Sequence, residues 1–474
     1  MTNVTTWPAA AGTTTDAYTV KVNGVNVPVM GTPMPENRIV EAQRHPYSFA
    51  LFDADGEVTV EVSSRWLAMD NVAILPESKG VRPLEKRGNT VVFRATPPFT
   101  LAVEPRGRHD ALILSANLPE TDVPKPDSPG VVFFGPGRHH PELIGLKGGE
   151  TLYLAGGAWV EGGVFACGDN VTIRGRGVLS GAPWPWTHGP KITGGNQVAS
   201  IRSAINLSGH MIRISGRGIS VRDVTLLSPW GWCLVLNEVE GAMVENVKIL
   251  GGRVINDDGI DICRSKDVTI RDCFIRVQDD CITPKWWCED LLVERCTLWT
   301  DIANAFRIGY ECEDPPYVYR NLVFRDIDVL HLTLEPTTPD QFWANAAIYI
   351  QAANEQLLEN FGFEEIRFHE VNSHDIFLLL KTMATKTSKK STTAGYFRNL
   401  ALRNIHLPDS KGGMCVYLST RDDAHTIDGI SFEDVTGYGE VTLKGAIRNG
   451  SLADAKGTGS AHARPGGAQE KSTP

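Results

Sequence analysis

The amino-acid sequence predicts an all-β protein, in which a right-handed parallel β-helix follows an N-terminal antiparallel β-sandwich. Three observations support this prediction: short alternating strands near the N-terminus, a repeated strand-like unit through the centre, and no helical periodicity along the chain. The chain of 474 residues is also too long for one ordinary compact domain. We expect the sandwich at 1–125, the β-helix at 126–449 and a disordered tail, rich in Gly, Ala and Ser, at 450–474.

The N-terminal region alternates apolar and polar residues in short runs. Between 18 and 29, two alternating runs flank Asn23-Gly24, which is a strong signal for a hairpin turn. The runs at 57–62 and 90–94 alternate in the same way. Regularly spaced short strands of this kind are typical of an antiparallel sandwich.

A repeated motif marks the region after about Val131. It consists of an apolar residue, a charged residue, usually Asp or Asn, and a second apolar residue, and its first four copies begin 23, 26 and 23 residues apart. Strand-like units at this spacing form one coil each of a solenoid, with coils about 4.8 Å apart. The copies begin at Val221, Val244, Ile270, Val293, Phe324, Leu402 and Phe432. Insertions at 311–319, 334–346 and 385–396 should form loops that build a groove beside the coils.

Composition limits the partners. The net charge of −10 argues against nucleic acid and anionic membrane surfaces. We find no apolar stretch long enough for a transmembrane helix and no secretory signal, so we expect a cytoplasmic protein unless a signal has been removed. Nine cysteines, several at apolar strand positions, indicate buried free thiols, and none has zinc spacing. We expect no metal or other cofactor. The sandwich could cap the end of the helix or make a contact in a homo-oligomer.

Two acidic clusters indicate where the chemistry lies. They are Asn256-Asp-Asp-Gly-Ile-Asp261 and Val277-Gln-Asp-Asp-Cys-Ile282, and Asp258 precedes Asp279 by 21 residues and Asp280 by 22, close to one coil. Asp, Asn and Gly also cap β-helix corners freely. Stacked carboxylates are costly, however, so we interpret the pair of clusters as functional. Because neighbours in a strand face opposite ways, Asp279 and Asp280 can share a site only at a bulge or a strand end.

Three carboxyl groups in one small area suit the cleavage of a glycosidic bond. One carboxylic acid protonates the leaving oxygen, and a carboxylate acts from the other side. Crowding raises the pKa of one carboxyl group and keeps it protonated near neutral pH. If a second carboxylate activates water, the two groups should lie roughly 6.5–9.5 Å apart and the anomeric configuration should invert. We therefore predict Asp258, Asp279 and Asp280 as the catalytic residues.

The acidic pattern resembles a known family. Asn-x-Asp-Gly-x-Asp, followed 21 residues later by Asp-Asp, is similar to the polygalacturonase-type β-helix hydrolases of glycoside hydrolase family 28. The sandwich before the helix, together with the stretches at 305–311 and 320–331, resembles more closely the dextranase and isopullulanase family, family 49. The resemblance covers about 133–331 well and the sandwich loosely. It implies an inverting clan in which Asp279 is the general acid and Asp258 and Asp280 hold and deprotonate the attacking water.

Two departures from the polygalacturonases bear on the substrate. Where those enzymes carry Gly-His-Gly, one coil after Asp-Asp, this sequence has Ala303-Asn304-Ala305. Where they carry an Arg-Ile-Lys that grips a uronate carboxylate, it has Tyr349-Ile-Gln351. Both differences favour a neutral glycan with α-linkages, as in the dextranase-like family. In that family a lysine follows Asp-Asp more closely than Lys285 does here, so the sugar itself is left open.

Several residues around the acidic coils are candidates for substrate binding. Each also has a structural interpretation, such as a solvated turn lysine, an Arg–Glu pair on a groove wall, or a tryptophan in the core. The predicted set is Lys285, Arg307, Glu311, Asn304, Trp232, Trp286, Asp261 and Gln351. His374-Asp375 and Lys381 fall two or three coils later, where they could lie near the rim of the groove.

Two other classes of function remain open. A polysaccharide lyase or uronate epimerase on the same fold would need a base beside a cation that neutralises a uronate, and a non-catalytic glycan-binding β-helix would not need three stacked aspartates. The missing signal sequence suggests work on imported oligosaccharides, and exo-action with it. The expected partner in every case is a carbohydrate.

Overall fold

The computed structural model describes residues 3–33, 47–108, 110–186, 189, 209–332, 337–339, 344–370, 376–384, 393–408 and 413–450. Within these ranges the regular structure is β-strand, apart from a short 3₁₀ turn at Glu77–Lys79, and the all-β prediction is confirmed. No helix in this part of the chain is long and apolar enough to cross a membrane. The predicted tail after Gly450, His374-Asp375 and most of the insertion at 385–396 lie outside the described residues.

Eleven strands form the N-terminal domain, which is a β-sandwich. The strands are β1 (Val4–Thr5), β2 (Tyr18–Val22), β3 (Val25–Val27), β4 (Val29–Gly31), β5 (Ser48–Ala54), β6 (Val58–Ser64), β7 (Ala73–Leu75), β8 (Pro83–Arg87), β9 (Thr90–Ala95), β10 (Phe99–Arg108) and β11 (Leu112–Asn117). One sheet has the order β1-β5-β11-β10-β7 with β4 also on β5, and the other is β3-β2-β6-β9-β8. The pairing of β5 with β11 is parallel and the other pairings of these strands are antiparallel.

The hairpin predicted at Asn23-Gly24 is confirmed. The strands β2 and β3 pair with Val22 opposite Val25, and both turn residues have positive φ, 48° and 81°. This is the backbone that an Asn-Gly turn adopts most easily. Alternation along β2 and β6 then buries one face of each strand, and these faces form the core between the two sheets together with Phe52, Phe93 and Leu114.

The remaining strands form a parallel β-helix, as predicted. They are β12 (Val131–Phe134), β13 (Gly137–Lys147), β14 (Thr151–Leu154), β15 (Ala158–Cys167), β16 (Thr172–Gly175), β17 (Val178–Ser180), β18 (His210–Arg222), β19 (Thr225–Leu227), β20 (Trp232–Glu245), β21 (Lys248–Leu250), β22 (Ile260–Arg271), β23 (Phe274–Val277) and β24 (Ile282–Glu294). They continue with β25 (Thr297–Thr300), β26 (Phe306–Gly309), β27 (Tyr319–Leu332), β28 (Ile348–Ala352), β29 (Leu357–Phe368), β30 (Ile376–Thr382), β31 (Tyr396–His406), β32 (Met414–Thr420), β33 (Ile427–Thr436), β34 (Tyr438–Lys444) and β35 (Ile447–Arg448).

Each coil visits three stacked sheets. Sheet I contains the second halves of long strands such as β22 and β24, sheet II contains short strands such as β21, β23 and β25, and sheet III contains the first halves of β20, β22 and β24, followed by β26 and β28. The inward side chains of all three sheets form one continuous apolar core along the helix. A turn between sheet II and sheet III therefore recurs once in every coil.

The repeated motif of the sequence is the corner between sheets I and II. Its third residue has positive φ in every copy, as in Asp223 at 69°, Asn246 at 53° and Asp272 at 56°. Asp and Asn tolerate this left-handed backbone better than other residues with a Cβ. The motif therefore repeats because each coil needs the same bend.

Within the described residues, the sandwich packs along the side of the helix. Apolar residues of the sandwich, among them Phe49 and Ile113, pack on the outer face of sheet II. That face presents Trp159, Val178, Leu227, Leu250, Phe274, Trp299 and Leu330 from successive coils. The sequence did not indicate this flank because outward apolar residues of a strand look the same as inward ones.

A buried ion pair joins the two domains. In β27, Nε2 of His331 lies 2.8 Å from Glu104 of β10, and Nδ1 contacts Glu370. Burial opposes the positive charge on His331, but the hydrogen bonds to Glu104 and Glu370 outweigh it and raise the pKa to about 9. The imidazolium is therefore the form that the folded protein holds near neutral pH.

We expect His331→Gln to destabilise the fold in a pH-dependent way. Because the pKa of His331 in the folded state lies above its ordinary value of 6.5, its stabilisation is complete below that pH and is lost as the pH rises through about 9. Denaturant unfolding at pH 6 should show a loss of about 3–5 kcal/mol, since Glu104 is left buried and unpaired, and the difference from the wild type should shrink at pH 10. The exposed His406→Gln, whose partner is Asp434, should change the free energy of unfolding by about 1 kcal/mol or less at either pH. Equal losses at the two pH values would contradict this account.

Candidate active site

The two acidic clusters occupy consecutive turns between sheets II and III. Asp258 lies between β21 and β22, and Asp280 lies between β23 and β24. Their backbones are one coil apart, since Gly259 N donates to Asp280 O at 2.8 Å and Ile260 pairs with Ile282. In the next coil Cys281 N donates to Asn304 O at 3.0 Å. The side chains of Asp258, Asp280 and Asn304 thus form a stack along the helix, as the spacing predicts.

The strand end that the sequence requires at Asp279 and Asp280 is present. The strand β23 ends at Val277 and β24 begins at Ile282, so both aspartates lie in the intervening turn. Outside a strand the alternation rule no longer separates the two side chains. The charges of Asp258 and Asp280 raise the pKa of Asp279, and the charge of Asp258 raises the pKa of Asp280. The three carboxyl groups therefore lie close together in one cluster.

Asp258 is held by a buried lysine. Nζ of Lys285 lies 2.9 Å from Oδ2 of Asp258 and 2.9 Å from Oδ1 of Asp261, and Thr283 also donates to Asp261. Burial alone would lower the pKa of Lys285, but the two carboxylates outweigh it and hold the pKa well above its ordinary value. Burial raises the pKa of Asp258 to about 7, although Lys285 opposes the rise. The second oxygen, Oδ1, is buried and has no hydrogen-bond partner among the described residues.

Lys285 and Trp232, both predicted to bind substrate, contact each other. The ring of Trp232 stacks on His210 of the preceding coil at 4.9 Å, and Nζ of Lys285 lies 3.4 Å from the centroid of the same ring. Two carboxylates and one ring face therefore surround the ammonium group. Trp232 remains partly exposed, whereas Lys285 lies behind Asp258 and is 4% exposed. Asp261 is likewise fully buried behind the cluster.

Asp279 differs from its two neighbours in having no basic partner within hydrogen-bond distance among the described residues. Its carboxylate accepts hydrogen bonds from Asn256 Nδ2 at 3.1 Å and from the backbone N of Asp280 at 3.0 Å. Burial of the carboxyl group raises its pKa well above the ordinary value, and the charges of Asp258 and Asp280 raise it further. The residue is also more exposed than Asp258 and Asp280, which are buried. Asp279 is therefore the carboxyl group best placed to carry a proton into the groove.

Asp280 is oriented by the next coil. Its Oδ1 accepts hydrogen bonds from the backbone N and the side-chain Nδ2 of Asn304, at 3.0 and 2.6 Å. Oδ1 of Asn304 in turn accepts the backbone N of Ala346 at 2.7 Å. Burial and Asp258 raise the pKa of Asp280, while Arg307 and Asn304 lower it. Asn304, which stands at the Gly-His-Gly place, thus holds a catalytic candidate.

Arg307 lies beside Asp280 on sheet III, where Tyr349 and Gln351 hold its guanidinium group. Its guanidinium stacks 3.7 Å from the ring of Tyr349, and Nη2 donates to Gln351 Oε1 at 3.1 Å. Nη1 is buried and has no hydrogen-bond partner among the residues described. Gln351, predicted to bind substrate, is 1% exposed and accepts the Nη2 hydrogen bond from Arg307.

The loop after β26 is attached to the coil that carries Asp279 and Asp280. Trp286 N donates to Glu311 O at 2.6 Å, and Glu313 N donates to Trp286 O at 3.1 Å. Arg264 pairs with Glu313 and covers the ring of Trp286 at 4.3 Å. The charge of Glu311 acts on Lys285, so the structure brings Glu311 close to the cluster. Trp286 contributes to fixing this loop, while its neighbour Trp287 stacks on the exposed Tyr317.

Two residues that hold the turns were not among the predicted site residues. Asn256 donates to Asp279, and the fully buried Asp257 accepts the backbone N–H groups of Gly252, Gln278 and Asp279. Both stand in the acidic cluster that the sequence shows, next to Asp258. Spacing cannot tell a buried carboxylate that accepts backbone amides from one that pairs with a lysine, so only the structure separates Asp257 from Asp258. In the described part of the chain, no group of three or more His, Cys, Asp or Glu is arranged to hold a metal ion.

Comparison with known proteins agrees with this geometry. Residues 169–299 match the family described as glycosyl hydrolases family 28, a segment that contains both acidic turns and Lys285. A polygalacturonase of Chamaecyparis obtusa is 33% identical over 127 residues, which is 26% of this chain and 23% of that protein. A polygalacturonase of Juniperus ashei is 29% identical over 159 residues, 32% of this chain and 30% of that protein. The chain thus spans less than a third of the length of these two relatives.

The whole fold has a solved counterpart. Dex49A from Penicillium minioluteum superposes with a TM-score of 0.62 over 88% of this chain and 90% of that chain, at 14% identity. At 14% identity the similarity shows the fold alone. The superposed region covers 88% of this chain and is therefore longer than the β-helix. Together these findings confirm the resemblance to the clan of β-helix glycoside hydrolases.

Proposed function

We propose that the protein is an inverting glycoside hydrolase that cleaves α-glycosidic bonds in a neutral glycan or oligosaccharide, in the manner of the dextranase and isopullulanase family. One observation carries the proposal: three clustered carboxyl groups have unequal partners. Asp258 is paired with a cation, Asp280 is bonded to an amide, and Asp279 has no basic side chain within hydrogen-bond distance in the described residues. Environments that push pKa values apart are how carboxyl groups divide acid and base roles.

In the proposed mechanism Asp279 protonates the glycosidic oxygen of the leaving group. Its raised pKa keeps the proton on the carboxyl group at the pH where the other groups have lost theirs. Asp258 and Asp280 hold the attacking water from the other side, and the unpartnered Oδ1 of Asp258 is free to accept a proton from that water. The single displacement that results inverts the anomeric configuration.

The cations around the cluster support a neutral substrate. Lys285 is already neutralised by Asp258 and Asp261, and Tyr349-Ile-Gln351 supplies no charge where a uronate-specific enzyme has two. Arg307 is bonded to Gln351 and stacked on Tyr349. Uncharged hydroxyl groups can bond to such a surface without requiring a free cation.

A uronate polymer is the second candidate substrate. The matches to two polygalacturonases and to family 28 favour it, as does the unpartnered Nη1 of Arg307, which could bond to a carboxylate.

Exo-action is a further part of the main proposal. The loop fixed on Trp286 and the segment bonded to Asn304 stand beside the cluster, where they could close one end of the groove.

The test is proton NMR of the first product formed from a panel of dextran, pullulan, galacturonan and arabinan-type oligosaccharides. We expect a neutral α-glucan to be cut with inversion of the anomeric signal and with products released from chain ends. Cleavage of galacturonan alone would favour the second candidate, and mid-chain products would exclude exo-action. An unsaturated product would indicate a lyase, and binding without turnover would overturn the hydrolase proposal.

A further inference from the structure

The sandwich reaches the catalytic turn through one tyrosine. Tyr47 immediately precedes β5 and is 5% exposed, and its hydroxyl donates to the backbone O of Gly251 at 2.8 Å. Gly251 follows β21 and opens the turn that carries Asp257 and Asp258. A contact over 204 positions of sequence thus connects the N-terminal domain to the first acidic turn.

From this point a chain of hydrogen bonds leads to Asp279. The next residue, Gly252, donates its N–H to Asp257 Oδ2 at 2.5 Å. The other oxygen of Asp257 accepts the N–H groups of Gln278 at 2.7 Å and Asp279 at 3.2 Å. The side chain of Gln278 donates in turn to Gly252 O at 2.8 Å, so the hydrogen bonds form a closed ring. The backbone of Asp279 is therefore held by a buried carboxylate that is itself held by the turn Tyr47 contacts.

A second contact supports the same connection. The guanidinium of Arg276 lies between the rings of Tyr47 and Trp299, at 3.6 and 4.0 Å from their centroids. The backbone O of Arg276 accepts the N–H of Gly251 at 2.7 Å. Arg276 stands in β23, three residues before Asp279, so the ring of Tyr47 restrains the second acidic turn as its hydroxyl restrains the first. Such stacking of a buried guanidinium on aromatic faces is favourable.

We propose that the sandwich is a positioning element of the active site, in which Tyr47 and Asp257 are positioning residues that fix the backbone of Asp279. The inference rests on the proposed hydrolase function for its kinetic consequence. A general acid must lie within hydrogen-bond reach of the leaving oxygen, and a small misplacement costs much of the rate. The substrate need not contact Tyr47, so its loss should reduce kcat while leaving KM nearly unchanged.

The test is Tyr47→Phe in the full chain, compared with Tyr18→Phe. Tyr18 is a matched control because it is also a buried sandwich tyrosine whose hydroxyl donates to a backbone carbonyl, that of Asp110, far from the acidic turns. The first readout is hydrogen exchange of the amides of Gln278 and Asp279, which does not depend on activity. We expect exchange to be roughly threefold faster or more in Tyr47→Phe and unchanged in Tyr18→Phe.

The second readout is the pH profile of hydrolysis on the best glycan of the panel. We expect kcat about tenfold lower in Tyr47→Phe, with KM within about twofold. A looser turn admits water to Asp279 and lets its raised pKa fall toward the ordinary value, so the alkaline limb should move to lower pH. If Tyr47→Phe and Tyr18→Phe have the same amide exchange rates, the same kcat and the same alkaline limb of the pH profile, the inference is overturned. The hydrolase proposal would still stand in that case. If the wild type cuts no glycan, the proposed function fails and amide exchange alone decides the inference.

Discussion

Asp279→Asn should reduce kcat by about 10² to 10⁴ fold, because general-acid catalysis contributes that much and the amide has no proton to give. Asn has nearly the shape of Asp, so the turn should persist. The measurement is the rate of release of reducing ends at the optimum pH of the wild type. The remaining activity should no longer show the alkaline limb, since that limb reports the loss of the proton from Asp279.

The same substitution should not weaken the fold. A carboxyl group whose folded-state pKa lies above the ordinary 3.8 destabilises the folded state increasingly as the pH rises beyond that value. At pH 7 the Asp279→Asn variant, which is uncharged at this position, should therefore unfold at the wild-type temperature or above it. Active sites commonly sacrifice stability in this way. A fall in melting temperature, together with the loss of activity, would indicate a structural role instead.

Asp290→Asn is the matched control for this prediction. Asp290 is an exposed aspartate in β24 whose carboxylate accepts a hydrogen bond from Asn321 at 2.8 Å. The change removes one negative charge from the same coil without touching the cluster. It should leave kcat within about twofold of the wild type, since surface substitutions have small effects. Comparable losses in the two variants would refute the assignment of Asp279.

The fold could be predicted from the sequence because a solenoid repeats its local requirements. The left-handed corner favours Asp or Asn, as at Asp223, Asn246 and Asp272, so the coil length can be read from the spacing. Once that length is known, the stacking of Asp258 over Asp280 follows. The strand end at Asp279 follows as well, because two adjacent aspartates cannot otherwise share a site.

The roles of the residues around the aspartates could not be predicted in this way. Lys285 contacts Asp258 because Cys263 and Lys285 are paired in sheet III, which places the lysine in the coil beside the acid. Spacing gives that neighbourhood, but it does not tell whether the ammonium group turns toward the carboxylate or toward the groove. The contact of Tyr47 with Gly251 joins two domains, and no local pattern encodes it. The contacts of aromatic residues such as Trp232 likewise depend on side chains of neighbouring coils.

Lys285→Met should cost about 3–5 kcal/mol of unfolding free energy, because it leaves two buried carboxylates, Asp258 and Asp261, without their cation. The pKa of Asp258 should rise further, so the base is ionised only at higher pH and the acid limb of the activity profile moves upward. Lys266→Met is the control: Lys266 lies in β22 and pairs with Glu240 at 3.0 Å, with both side chains about half exposed. It should change the unfolding free energy by about 1 kcal/mol or less.

A double-mutant cycle separates the ion pair from general damage to packing. In Asp261→Asn/Lys285→Met, one of the two orphaned carboxylates is neutral, so the double variant should be more stable than the sum of the single losses by more than about 1 kcal/mol. Activity should recover less than stability, because Asp258 still lacks the charge that keeps it ionised. Additive losses would mean that Lys285 acts only by filling space beside Trp232. A Lys285→Met variant with a wild-type acid limb would mean that Asp258 is not the base.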